Sequence, residues 1–163
     1  MASQRKRNEH FQVGCERCLE QDFSLEKIYL PKIIGDATGT VYIIGGADDL
    51  KITNALNSHM KLTQNKETGN FELTDLPSLS NPRASCGCCI SQDQTRIYIA
   101  GGYVQSTQIT KKVDYFDLKE NKWVDLPDLV LESCSSSLFE FKTGTKTYLF
   151  SIAGLNRKQG NDV

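Results

Sequence analysis

Histidine is scarce in this chain. Two occur in 163 residues, His10 near the start and His59 in the interior. Acid–base catalysis at neutral pH draws on histidine more than on any other side chain, so the scarcity argues against an enzyme. The acidic pairs Asp48-Asp49 and Asp114/Asp117 have no histidine or nucleophile set beside them. No run of 18 apolar residues occurs, so no membrane-spanning helix is expected. Charge of one sign is missing too: 19 Lys and Arg face 20 Asp and Glu, spread along the chain, which argues against a broad nucleic-acid surface. Met1 to His10 is polar and basic without an apolar core, unlike a secretory signal, and no Asn-x-Ser/Thr acceptor is present. An intracellular, cytoplasmic home follows as the expectation, with the nucleus also open. The six cysteines then read as thiols rather than bridges. Sustained helical periodicity is also lacking.

What the chain does have is repetition. Val41-Tyr42-Ile43-Ile44-Gly45-Gly46 returns as Ile97-Tyr98-Ile99-Ala100-Gly101-Gly102, and a degraded third copy runs from Tyr148 to Gly154. The closing glycines at 46, 102 and 154 lie 56 and 52 residues apart. Leu-Pro recurs at Leu30-Pro31, Leu76-Pro77 and Leu126-Pro127 and is read as a second marker in phase. A period near 50 residues belongs to radial or linear repeat arrays.

The middle repeat reads as four strands: Arg83 to Ser91, Arg96 to Ala100, Lys112 to Leu118 and Lys122 to Leu126. A polar loop, Tyr103 to Thr110, follows the glycine pair. In the first repeat the strands are Thr40 to Gly46, Ser58 to Gln64 and Phe71 to Leu76. The third keeps Cys134 to Phe141 and a strand over 147–154. Ser85-Cys86-Gly87-Cys88-Cys89-Ile90 aligns with Ser133-Cys134-Ser135-Ser136-Ser137-Leu138, small residues suited to a crowded axis.

Gly101-Gly102, Tyr115, Trp123 and Leu126-Pro127, in that order, resemble a kelch repeat. The resemblance covers about residues 24–156. In the first repeat Phe71 replaces the Trp and the Tyr position is polar or aliphatic. It implies an all-β fold, an incomplete kelch-type β-propeller of about two full four-stranded blades plus partial blades. Tyr115 and Trp123 would pack between blades. The expected division is a polar N-terminal tail over 1–22, a repeat region over 23–156 and a C-terminal tail over 157–163. The blades fall at about 36–77, 83–127 and, in part, 133–156. Propellers need 4–8 blades, so these should not close a ring alone. The chain then reads as a piece of a longer protein, a truncated product, or a partner in a ring completed by further blades from another copy or another protein.

Other motifs carry less. Cys15-Glu16-Arg17-Cys18 supplies two of the four ligands a structural zinc needs. With or without His10 it reads as a tail with two thiols, or as the stump of an upstream zinc module. Arg5-Lys6-Arg7 is solvated tail or a minimal nuclear signal. Gly35 to Thr40 lacks the Gly-Lys-Ser/Thr ending of a phosphate loop and reads as a hairpin turn. No cofactor or metal is expected.

Strand order puts the short turns on one rim of the array and the long polar loops on the other. Long loops on a rigid scaffold carry recognition, and the resemblance implies protein ligands on that rim. The candidate contacts are Asp48, Asp49, Lys51, Asn81, Arg83, Tyr103, Gln105, Gln108 and Asp128. Arg83 heads the set because Arg and Tyr dominate interface hot spots; alternatively it pairs with a loop acid or carbonyl of a neighbouring blade. The function expected is a non-enzymatic protein-interaction module, an adaptor or cytoskeletal scaffold. The relatives that serve ubiquitin ligases normally carry a BTB domain, and this chain has none. A fragment of a propeller enzyme and a truncated product without function are the rival readings.

Overall fold

A computed structural model describes residues 27–156. The tails, including Cys15, Cys18, His10 and the basic cluster, lie outside them. Strands β1 (Lys32–Gly35), β2 (Val41–Ile44), β3 (His59–Gln64) and β4 (Phe71–Asp75) form one antiparallel sheet in that order. The second sheet uses β5 (Gly87–Ile90), β6 (Arg96–Ala100), β9 (Val113–Asp117) and β10 (Lys122–Leu126), also antiparallel and in chain order. A small hairpin of β7 (Tyr103–Gln105) and β8 (Gln108–Ile109) interrupts it. The third unit has two strands, β11 (Ser137–Thr143) and β12 (Lys146–Ile152). The structure is all-β, an open propeller-like arrangement of antiparallel blades.

The innermost strand β5 lies against both β1 and β11, so the first strands converge on the axis; only β5, Gly-Cys-Cys-Ile, is made of small residues, while β1 and β11 carry Ile, Leu and Phe. Cys88 packs toward blade one and Cys89 toward blade three. Cys86, Cys88, Cys89 and Cys134 are free thiols. Burial pushes the Cys86 thiol up to about 11 and Cys89 to about 12, which keeps both protonated and inert.

The glycine pair is where adjacent blades are joined. Gly46 N–H donates to the Arg83 carbonyl at 3.0 Å, and Gly102 N–H to the Ser133 carbonyl at 2.7 Å. Arg83 and Ser133 lead into the next blade in each case. A Cβ on Gly45 would stand 2.2 Å from the Arg83 carbonyl oxygen, and one on Gly101 2.0 Å from that of Ser133. Both glycines also sit at positive φ, 61° and 63°, which a side chain would resist.

Side chains fill the space around this joint. Between blades one and two lie Tyr42, Ile44, Leu79, Cys86, Ile97, Ile99 and Phe116. Trp123 Nε1 donates to the Pro77 carbonyl at 2.8 Å, and its ring lies 5.2 Å from Phe116. Between blades two and three lie Cys89, Tyr98, Ala100, Val113 and Leu138, with Tyr115 against them. Tyr115 and Trp123 therefore pack between blades, as the repeat pattern implied. Arg96 lies over the Tyr115 ring, 4.8 Å from its centroid.

The structure corrects the sequence reading in three places. β1 gives the first sheet a complete set of four strands, beginning ahead of the turn at Asp36 where the blade was expected to start. Leu30-Pro31 is not in phase with the other Leu-Pro pairs. Leu30 matches Ser85 and Ser135, all three at positive φ of 52–55°, joined by Ser85 N–H to Leu30 O and Ser135 N–H to Ser85 O. The loop from Tyr103 to Thr110 holds a hairpin.

His59 is 2% exposed, packed at 4.5 Å edge-on to Phe116 and 5.1 Å from Trp123. Nδ1 lies 3.3 Å from the Pro77 carbonyl, and Nε2 has no hydrogen-bond partner. Burial pushes its pKa down to about 4, against the pull of that carbonyl. The folded chain thus holds fewer protons here than the unfolded chain between pH 6.5 and 4. The stability contribution is complete above pH 6.5 and is lost as pH falls toward 4, by about 3 kcal/mol. His59→Phe should lose less stability than the parent between pH 7 and 4.5 in urea melts, and parallel pH profiles would refute this assignment. Gly101→Ala should cost about 2–5 kcal/mol from strain and overlap. Gly39→Ala, at positive φ with nothing within 4 Å, should cost about 1 kcal/mol. Equal costs would remove the steric account of the joint.

Candidate functional site: the long-loop rim

Two rims follow from the strand order. On one, short turns are bound to each other: Gln94 Oε1 accepts from Ala37 N–H at 3.0 Å, and Lys142 reaches Asp93 at 3.0 Å. The Asp93 carboxyl also accepts from Ser91 and Thr95 and is held well below its ordinary range. On the other rim lie the loops over 47–56, 78–83 and 128–133 and the β7–β8 hairpin.

Local hydrogen bonding makes the first loop stiff. Asp49 accepts from Thr53 N–H at 2.9 Å and Thr53 Oγ1 at 2.6 Å. These bonds keep its carboxyl below its usual value. Asp48 holds Asn54 through its backbone N–H and side-chain amide, at 3.2 and 2.9 Å. Ala55 N–H donates to Val104 O in the hairpin of blade two. Lys51 is exposed at the loop's apex. Gln105 and Gln108 face each other, exposed, across the hairpin. Tyr103 is half-buried and packs on Ala47, Ile52 and Ala84. Asp128 is paired with Lys112 at 3.1 Å and approaches Lys111 at 3.9 Å.

Arg83 does not belong to this surface. Its side chain is 0% exposed. Nε donates to Asn81 O at 3.2 Å, Nη1 to Lys112 O at 3.0 Å, and Nη2 pairs with the Asp114 carboxylate. Neither sequence reading is realised: the Arg83 side chain meets no loop of a neighbouring blade, and its partners lie in its own lead-in, on Lys112 and on β9 of its own blade, because a charged group taken out of water must be matched where it lies. Burial raises the Asp114 carboxyl to about 6, with Asp125 pushing the same way and Arg83 opposing. Asp117, the other half of that acidic pair, caps the turn by accepting from Lys119 and Glu120 N–H at 3.0 and 2.9 Å.

Sequence reasoning looked for polar contacts and missed the apolar ones. Leu50 is 72% exposed, Val130 96%, Leu131 63% and Leu155 58%, all on loops of this rim. Val130, Leu131, Lys111, Glu132 and Asn156 line a groove of about 360 Å³. The available signal was Leu129-Val130-Leu131, an apolar run in a blade-to-blade connection where polar residues are the rule. Of the three, only Leu129 packs against the core.

Residues 82–130 match the kelch motif family. The chain carries a kelch motif. That segment runs from the lead-in of blade two to the loop after its fourth strand, the part where glycine pair, Tyr115 and Trp123 are all present. No curated protein matches the chain. Among solved structures, a fungal alcohol oxidase of the AA5 family in complex with copper aligns with a TM-score of 0.62 at 15% identity. The alignment covers 71% of this chain and 25% of that one. At that identity the likeness is one of fold. Among the described residues no three His, Cys, Asp or Glu side chains gather as a metal-ligand set, and no helix is long and apolar enough to cross a membrane.

Arg83→Ala should leave Asp114 buried and unpaired and cost about 3–5 kcal/mol, whereas Arg83→Met with Asp114→Leu should recover most of that loss. Urea denaturation of the three proteins checks this; an Arg83→Ala protein as stable as the parent would show that the pair is dispensable.

Proposed function

We propose that the chain is a non-enzymatic module that binds another protein through its long-loop rim, acting as an adaptor or scaffold in the cytoplasm. The kelch motif itself marks a protein-interaction repeat domain. The observation that supports this rim is Val130 and Leu131 standing almost bare beside a groove, flanked by Lys111 and Glu132. Exposed apolar side chains rimmed by charge mark interaction sites, and central apolar anchors with a polar surround carry most binding energy. Free buried thiols suit a reducing compartment.

Val130→Asp with Leu131→Asp should weaken capture of partner proteins at least about tenfold, measured by quantitative pull-down with unchanged circular dichroism. Capture that survives these changes, yet is lost on altering Gln94 or Lys142 on the opposite rim, would place recognition elsewhere.

A further inference from the structure

We infer that Asp114 and Asp125 form a proton-binding pair beneath the long-loop rim: one proton held between their carboxyls in mild acid tightens the joint that Arg83 closes, and its release loosens that joint. The strand register brings the two acids together. Asp125 of β10 stands directly opposite Asp114 of β9, so both side chains leave the sheet on the same face. Their carboxyls come within hydrogen-bonding reach of each other. Asp114 is 3% exposed while Asp125 is open to water, so the pair joins the interior to solvent. Like charges directly opposed across two strands repel. A single shared proton ends the repulsion by turning one carboxyl into a donor to the other.

One cation serves both acids. Arg83 pairs with the Asp114 carboxylate. On β6 the residue opposite Asp114 is apolar Ile99. The Cys86 thiol lies in the field of both Arg83 and Asp114, and Lys32 of β1 acts on that thiol. Lys111 and Lys112, close in the chain, reach for Asp128 instead, at 3.9 and 3.1 Å. With both acids ionised, Arg83, Asp114 and Asp125 together carry one unmatched negative charge; with one proton bound they are neutral, which is what burial favours.

What the proton acts on is the joint between blades. Arg83 Nε and Nη1 hold the Asn81 and Lys112 carbonyls at 3.2 and 3.0 Å. The Lys112 carbonyl also receives Gly101 N–H at 2.9 Å, and the Arg83 carbonyl receives Gly46 N–H at 3.0 Å. Both glycine pairs therefore bear on Arg83. Burial raises the Asp114 carboxyl from 3.8 to about 6, with Arg83 opposing and Asp125 adding to the rise. An opening that wets Asp114 returns it to its ordinary value. Between these two values the closed joint holds more proton than the opened one. Its stabilisation is complete below pH 3.8 and is lost as pH rises through about 6. The sign is opposite to that of His59, whose contribution is lost as pH falls.

Carboxyl carbon-13 NMR of the full 163-residue chain reads the Asp114 titration directly. Its midpoint should lie well above the ordinary carboxylate range, and Asp125→Asn should bring it down. Asp125 is exposed, so this variant should fold, and circular dichroism checks that it does. Amide hydrogen exchange, corrected for its intrinsic pH dependence, should be slower at Gly46 and Gly101 near pH 5 than near pH 7 by up to about tenfold. Asp125→Asn should shrink that difference. Repeating both measurements on His59→Phe removes the opposing titration. An Asp114 midpoint at or below the ordinary value overturns the proposal, as does a midpoint that Asp125→Asn leaves unmoved. A raised midpoint with exchange at the two glycines indifferent to pH overturns it too, because the proton is then not coupled to the joint.

Discussion

Two backbone hydrogen bonds, Gly46 to Arg83 and Gly102 to Ser133, set the distance at which one blade follows another. They hold at about 3 Å only because no Cβ intervenes, so the repeat tolerates almost any loop sequence but not a side chain at Gly45 or Gly101. A side chain on the second glycine, whose N–H makes the joint bond, would collide with its own blade. A Cβ on Gly102 would lie 2.8 Å from Ala84 O and 3.0 Å from the Cys86 Cβ. One residue of the pair thus fixes the lead-in of its own blade and the other admits the lead-in of the next. Strand pairing within each sheet would survive without this joint; the radial arrangement would not.

With spacing fixed by the backbone, the two blade interfaces are free to differ in chemistry. Blades one and two meet through a dry aromatic group in which His59 stays neutral and Trp123 is anchored on Pro77 O. Blades two and three share a polar element. Glu140, 8% exposed, accepts from Gln92 N–H at 2.8 Å and from the Tyr98 hydroxyl at 3.4 Å. Its burial is tolerable because Lys142 Nζ lies 3.5 Å away. Repeat proteins commonly keep geometry and vary contacts in this way, each interface being a nearest-neighbour term.

The sequence was most legible where pattern and conformation are tied by sterics. The strands at Arg96–Ala100 and Lys122–Leu126 and the glycine joints fall where the residues place them, since alternation and positive φ leave few alternatives. It was least legible where the same residue type serves two purposes. Leu30-Pro31 copies the end of a fourth strand but stands at the start of a first strand, because proline is equally suited to both boundaries. Arg83 is the residue type of a hot spot, yet its side chain is fully buried. Only the fold shows Asp114 waiting on β9, 31 residues away. Val130 and Leu131 lie in a connection counted among the long polar loops, and only the structure shows this apolar pair facing outward.

Burial of Arg83 bears directly on the shape of the rim above it. The Asn81 and Lys112 carbonyls that receive its guanidinium belong to two different segments of the loop rim. Asp48 and Asp49 stiffen a third segment, and Ala55 N–H ties that segment to the hairpin. Loops held by such bonds have little conformational freedom left to lose. Arg83, read from the sequence as a contact residue, instead lies beneath these loops and fixes two of them through their carbonyls.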